Sequence, residues 1–182
     1  TDFFGGMSTY TDDTVLTVAT KYAVLTGTPY AKAYSLFGKR YSRVGYGTMF
    51  KNWLNSSSQK GYNSFGNGAA MRVSYIGWHY PTLEEVGDQA VLSALVTHNH
   101  PDGIAGACVV AGAVYLARVG ESKAAIADHV TRYYPLDFTL DEIREDYAFD
   151  VTCAGSVPQA MEAFLEAESF EDALRGAVSI GG

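Results

Sequence analysis

Apolar residues recur at helical spacing along nearly the whole chain. Val15, Leu16, Val18, Ala19, Tyr22 and Ala23 predict a helix over residues 12–26. Gly27-Thr-Pro29 punctuates it, and the stripe Tyr30, Ala33, Tyr34, Phe37 and Tyr41 predicts a second helix over about residues 29–43. Residues 45–68 are rich in Gly and Ser, interrupted by a short apolar piece at Met49, Phe50, Trp53 and Leu54. Thr82 and Glu85 have capping-box spacing ahead of Val86, Ala90, Val91, Ala94 and Leu95. Pro101 discourages continuation, so that helix is expected to end near His98. Residues 102–119 are small and apolar on almost every face, which predicts a central, buried helix with closely approaching neighbours. Thr139 and Glu142 repeat the capping box before a short helix. Ser156 is placed to cap a run containing Val157, Ala160, Met161, Phe164 and Leu165, and Ser169 to cap residues 170–180. No strand alternation of useful length and no repeat is present. The pattern predicts an all-α domain built on one core.

A length of 182 residues suits one compact domain with a real interior. The 47% apolar and 18% charged content is that of an ordinary globular protein, and no uninterrupted apolar stretch approaches a membrane span. The net charge of −7 argues against a nucleic-acid backbone as partner. An anionic ligand would have to be held by backbone N–H groups or a metal. Cys108 lies in an apolar run and Cys153 precedes a helix start, so both read as reduced structural thiols in a cytoplasmic setting. The chain lacks a signal-peptide pattern and an initial Met. A start inside a longer reading frame, or a removed leader, is therefore expected.

Candidate chemistry concentrates in three places. Thr9-Tyr-Thr-Asp-Asp-Thr14 puts Thr11, Asp12 and Asp13 at the first turn of a helix, where clustered oxygens suit a hard divalent cation. Neighbouring helical side chains diverge by about 100°, so the carboxylates would reach two ions more easily than one. The competing reading is helix capping, with acidic groups complementing the dipole. Ser64-Phe-Gly-Asn-Gly-Ala-Ala-Met-Arg72 has glycines that let a ligand approach the main chain. A helix starting at about Gly68 would aim free N–H groups at a diphosphate, and Phe65 could stack on a base. His98 and His100 would face opposite sides of a helix, and their competing role is a dipole or local hydrogen-bonding one. His79 and His129 have no partner pattern, and no Gly-x-Ser-x-Gly elbow occurs.

Taken in order, five stretches make the sequence similar to the ADP-ribosylglycohydrolase family. They are Tyr10-Thr-Asp-Asp-Thr14, Ser64-Phe-Gly-Asn-Gly-Ala-Ala-Met-Arg-Val73, Thr97-His-Asn-His-Pro101 with Gly106-Ala107, Thr152-Cys-Ala-Gly-Ser-Val-Pro158, and the tail from Ser169 through Ser179-Ile-Gly-Gly182. The resemblance implies a compact orthogonal helical bundle that hydrolyses ADP-ribosylated side chains or small molecules at the distal ribose. It implies two Mg²⁺ ions (Mn²⁺ in some members), with Thr11, Asp12 and Asp13 as ligands and the two aspartates in catalysis. It also implies a diphosphate loop at Ser64, Gly66, Asn67 and Gly68 continuing to Met71, an aromatic against adenine at Phe65, and a ligand contact at His98.

Two family elements are not in the sequence. Members carry a Gly-Asp-containing helix before the triplet, and an Asp-x-Asp-Thr segment after the terminal glycines that completes the metal site. The expectation is a single domain over residues 1–182 lacking both. Thr11, Asp12 and Asp13 alone are then expected to hold Mg²⁺ weakly, since that ion demands near-ideal octahedral geometry. Exposed core faces would favour a homo-oligomer or a complementing chain. An inactive ADP-ribose-binding member is the alternative expectation.

Overall fold

The computed structural model describes residue 6 and residues 8–181, so Gly182 of the tail motif lies outside the described residues. The described chain is all-α, with ten helices and a single 3₁₀ turn. Its only β-type pairing is an isolated bridge between Gly66 and Thr152. Among the described residues no helix is long and apolar enough to cross a membrane.

The centre is α6 (Pro101–Arg118), which α5 (Leu83–Leu95), α4 (Ser74–His79), α7 (Lys123–Thr131) and α9 (Cys153–Glu166) all pack against. Gly103, Gly106, Ala107, Cys108, Val109, Ala111, Gly112 and Ala113 of α6 are buried, as its all-round apolar pattern predicts. Small residues are required there. A Cβ on Gly106 would run into Cys153 Sγ, and one on Gly112 into the His129 ring. α1 (Asp12–Thr26) and α2 (Tyr30–Arg40) form an antiparallel pair over the same interior. The fully buried Tyr34 joins them to α5, its hydroxyl lying 3.0 Å from Thr20 Oγ1 and 2.6 Å from Ser93 Oγ.

Four local expectations are revised. The second helix stops at Arg40 rather than about 43, closed by a last bond from Tyr41 N to Phe37 O. The apolar piece after Gly47 is a full helix, α3 (Thr48–Asn55), because it buries Phe50, Trp53 and Leu54 on one side. No α-helix starts at Gly68. A 3₁₀ turn, Ala70–Arg72, intervenes, and α4 begins only at Ser74, since Arg72 and Val73 must both turn into the core. α9 is capped by Thr152, whose hydroxyl accepts from Gly155 N at 3.0 Å, and Ser156 sits inside its first turn.

The pattern also hid α7, which Ser122 caps through Ala125 N, because its buried set is only Ile126, His129 and Val130. The short α8 (Leu140–Ile143) has the full predicted capping box between Thr139 and Glu142. Ser169 caps α10 (Phe170–Ser179), also as predicted.

Candidate functional site

The Thr11-Asp-Asp13 triplet opens α1, with Thr11 in the extended conformation of an N-cap. Its hydroxyl does not cap the helix. It donates instead to Asp13 Oδ2 at 2.8 Å, so the three side chains form an oxygen cluster rather than a capping device. Asp12 is fixed through its N–H, which donates to Val44 O at 3.0 Å, and Gly45 leaves room beside its carboxylate. Burial, and to a lesser degree the neighbouring Asp13 charge, raises the Asp12 carboxyl above its usual range. No salt bridge to Asp12 offsets that cost among the described residues. A cation placed there would relieve both causes.

The donors fit a hard divalent ion in kind, being hydroxyl and carboxylate oxygens. In number they fall short of a closed site. Among the described residues no group of three or more His, Cys, Asp or Glu side chains is placed to hold a metal.

The 64–68 loop is built differently. It lies against the entry to α9, where Asn67 N donates to Val151 O at 2.8 Å and Cys153 N donates to Phe65 O at 2.9 Å. The Asn67 side chain donates to Ser156 Oγ at 3.0 Å, and the Cys153 thiol donates to Gly66 O at 3.2 Å. Ser64 Oγ accepts from Gly66 N at 3.2 Å, closing the turn from within. Burial pushes the Cys153 thiol up to about 12, so it serves as a protonated donor here and not as a nucleophile.

Facing this loop is His98, in the turn between α5 and α6. Its Nδ1 lies 2.7 Å from Thr97 Oγ1. Burial first, and the Arg72 charge second, push its imidazole down to about 3. Held neutral, the ring does not complement the α5 dipole as a cation, but its bond to Thr97 is the local hydrogen-bonding role of that reading. His100 likewise does local work, capping α6 with Nδ1 accepting from Asp102 N at 3.1 Å.

A cleft of about 510 Å³ joins the two regions. It is lined by Asp12, Ser64, Gly66, Asn67, Gly68, Met71 and His98, seven of the residues singled out in the sequence. Thr11, Asp13 and Phe65 are not among its lining residues. Phe65 is half exposed and meets His100 edge-on, with ring centroids 5.5 Å apart. The α-helix start expected after Gly68, with its anion site, is not formed, because residues 70–72 are a 3₁₀ turn.

The cleft also has members that motif reading passed over. Gly45, Gly47, Thr48, Met49 and Phe50 come from the α2–α3 connection and α3, Tyr62 precedes the loop, and Phe149 and Val151 precede α9. Phe149 is 73% exposed, which makes it the most open aromatic face on the cleft. The Gly45-Tyr-Gly47 spacing was the one available signal, since glycines beside an acidic helix start leave space for a ligand.

The family model described as ADP-ribosylglycohydrolase matches residues 1–182. The human ADP-ribosylhydrolase ARH3 is 35% identical over 133 residues, covering 63% of this chain and 37% of that protein. The mouse protein of that name is likewise 35% identical, over 63% of this chain and 36% of its own length. The chicken one is 33% identical over 62% and 36%. The matched segment thus spans little more than a third of these relatives. With the family model covering the full sequence, the chain belongs to the ADP-ribosylglycohydrolase family.

Proposed function

We propose that this chain carries the ADP-ribose site of a hydrolase that releases ADP-ribose from a modified side chain or small molecule, cutting the glycosidic bond at the distal ribose. One observation carries the reading. A single cleft puts a carboxylate, Asp12, together with the glycine-lined 64–68 loop and a neutral His98. The loop's glycines admit a diphosphate against the main chain, and an acidic chain binds that anion through neutral donors rather than through lysines. Family membership supports the bond class, and the relatives named above are ADP-ribosylhydrolases.

Thr11, Asp12 and Asp13 would hold Mg²⁺ or Mn²⁺, which when bound supplies polarisation of ribose hydroxyls and of water. The remaining steps belong to the chain. The cleft fixes the nucleotide end so that the distal ribose reaches the carboxylates. Asp12 is the carboxylate that lines the cleft, placed to orient water or a ribose hydroxyl at that end. Asp13, outside the cleft lining, is held beside Asp12 by the Thr11 hydroxyl.

A second reading rests on the donor count. With no trio of metal-holding side chains among the described residues, the chain would bind ADP-ribose without turning it over, or would turn it over only in a homo-oligomer or with a complementing chain. Release of ADP-ribose from arginine- and serine-modified peptides and from an O-acetyl ester, assayed with millimolar Mg²⁺ and with EDTA, separates the two. Metal-dependent release that Asp12→Asn abolishes supports hydrolysis. Binding of ADP-ribose with no release from any substrate supports the second reading.

A further inference from the structure

Arg72 is completely buried, yet among the described residues no carboxylate pairs with it. Its guanidinium lies over the Tyr34 ring, 4.0 Å from the centroid, and its Nε and Nη1 have no hydrogen-bond partner. All its polar contacts run through Nη2, which donates to Ser93 O at 2.8 Å and to Thr97 Oγ1 at 2.9 Å. Burying a charge without an ion pair is costly, and only the Nη2 bonds and the Tyr34 ring offset it here.

We infer that Arg72 and Thr97 are positioning residues that fix His98 as the Nε2–H tautomer, turning the ring into a permanent hydrogen-bond donor for an acceptor oxygen held over the 64–68 loop. The inference rests on the ADP-ribose reading for the identity of that oxygen, a diphosphate one, and on geometry alone for the tautomer. A guanidinium donates only, so its bond to Thr97 consumes a lone pair of that hydroxyl. The single Thr97 proton is then free to point at His98 Nδ1, 2.7 Å away.

Electrostatics select the same arrangement. A positive charge behind Thr97 favours a lone pair at Nδ1 and disfavours an N–H dipole aimed toward it. Nδ1 therefore accepts and Nε2 carries the proton. Nε2 has no protein acceptor among the described residues and faces the loop. A Cβ built on Gly68 would lie 2.9 Å from it. The neutral state of the ring, argued above from burial and the Arg72 charge, agrees.

Imidazole nitrogen NMR of the ¹⁵N-labelled, ligand-free chain at pH 7.5 tests this, with His98→Asn identifying the His98 signals. The expected spectrum has the protonated nitrogen at Nε2 and the bare one at Nδ1. Thr97→Val should move His98 toward a tautomer mixture and weaken ADP-ribose binding roughly tenfold, and Thr97→Ser should restore both. An Nδ1–H pattern in the wild-type chain overturns the inference, as does a tautomer that Thr97→Val leaves unchanged. If Thr97→Val does not fold, the wild-type spectrum decides the question by itself. Absence of ADP-ribose binding by a wild-type chain with the Nε2–H signature counts against the functional reading and leaves the tautomer assignment standing.

Discussion

The two ends of the cleft are made to different standards. At the nucleotide end, the 64–68 loop is cross-linked to the start of α9 by four hydrogen bonds from Asn67 and Cys153. At the carboxylate end, one side-chain bond joins Thr11 to Asp13, and Asp12 stays without an ion pair among the described residues. The first end is fixed by backbone and side-chain bonds, and the second is left with an uncompensated carboxylate. Binding and chemistry should therefore respond separately to mutation, and that separation can be broken or sharpened.

The largest effect is expected at the carboxylate end. Asp12→Asn or Asp13→Asn should lower ADP-ribose release by about 10²–10⁴, the usual worth of a positioned proton-transfer group. Thermal melting should show the opposite sense for Asp12→Asn, with Tm unchanged or raised, because burial and the Asp13 charge oppose the ionised carboxylate. A large drop in Tm would mean that the aspartate stabilises the fold and the two ends are not independent.

Next is Gly68→Ala. The new methyl would sit 2.9 Å from His98 Nε2, on a ring held by Thr97, so loop or ring must shift. ADP-ribose affinity measured by calorimetry should fall about 100-fold, with a stability loss of about 1–3 kcal/mol by denaturant melts.

A smaller effect separates the two aromatics. Phe149→Ala should cost about tenfold in ADP-ribose affinity, within the ~1–3 kcal/mol that stacking on a base supplies. Its stability should not change, since the ring is exposed. Phe65→Ala should cost less if Phe149 carries the base, and more if the resemblance has assigned the role correctly to Phe65.

The last effect is a pH slope in stability, separate from ligand affinity. The His98 imidazole is lowered in the fold to about 3, so the unfolded chain takes up a proton near pH 6.5 that the folded chain refuses. His98 therefore contributes stability that is present above pH 6.5 and is lost as pH falls toward 3, by about 1.4 kcal/mol per pH unit at most. Urea melts between pH 4 and 7 should show that slope reduced in His98→Asn. His129, also lowered by burial, acts in the same direction and would remain.

The fold was legible wherever a helix carried both a periodic stripe and a chemical cap, as with Thr82 for α5, Thr139 for α8 and Ser169 for α10. Reading failed where tertiary packing sets the local geometry. The turn after Gly68 is 3₁₀ because Arg72 and Val73 enter the core, and nothing in the Gly-Asn-Gly spacing shows that. The α9 cap moved from Ser156 to Thr152 because Ser156 is needed against Asn67. Motifs located the loop, the first carboxylate and His98. They missed Phe149, which stands in no pattern and reaches the cleft only because the chain entering α9 is bonded to the loop. They also missed Arg72 as a group acting on His98, since a long-range contact through Thr97 leaves no local trace.

The most direct test of the two-ended account is calorimetric titration of ADP-ribose into the chain, once with millimolar Mg²⁺ and once with EDTA. The account predicts measurable binding in both conditions, held by the loop and His98, and tighter binding with Mg²⁺ that Asp12→Asn removes. Absence of binding in both conditions would contradict it, because on this account the loop and His98 bind without the metal.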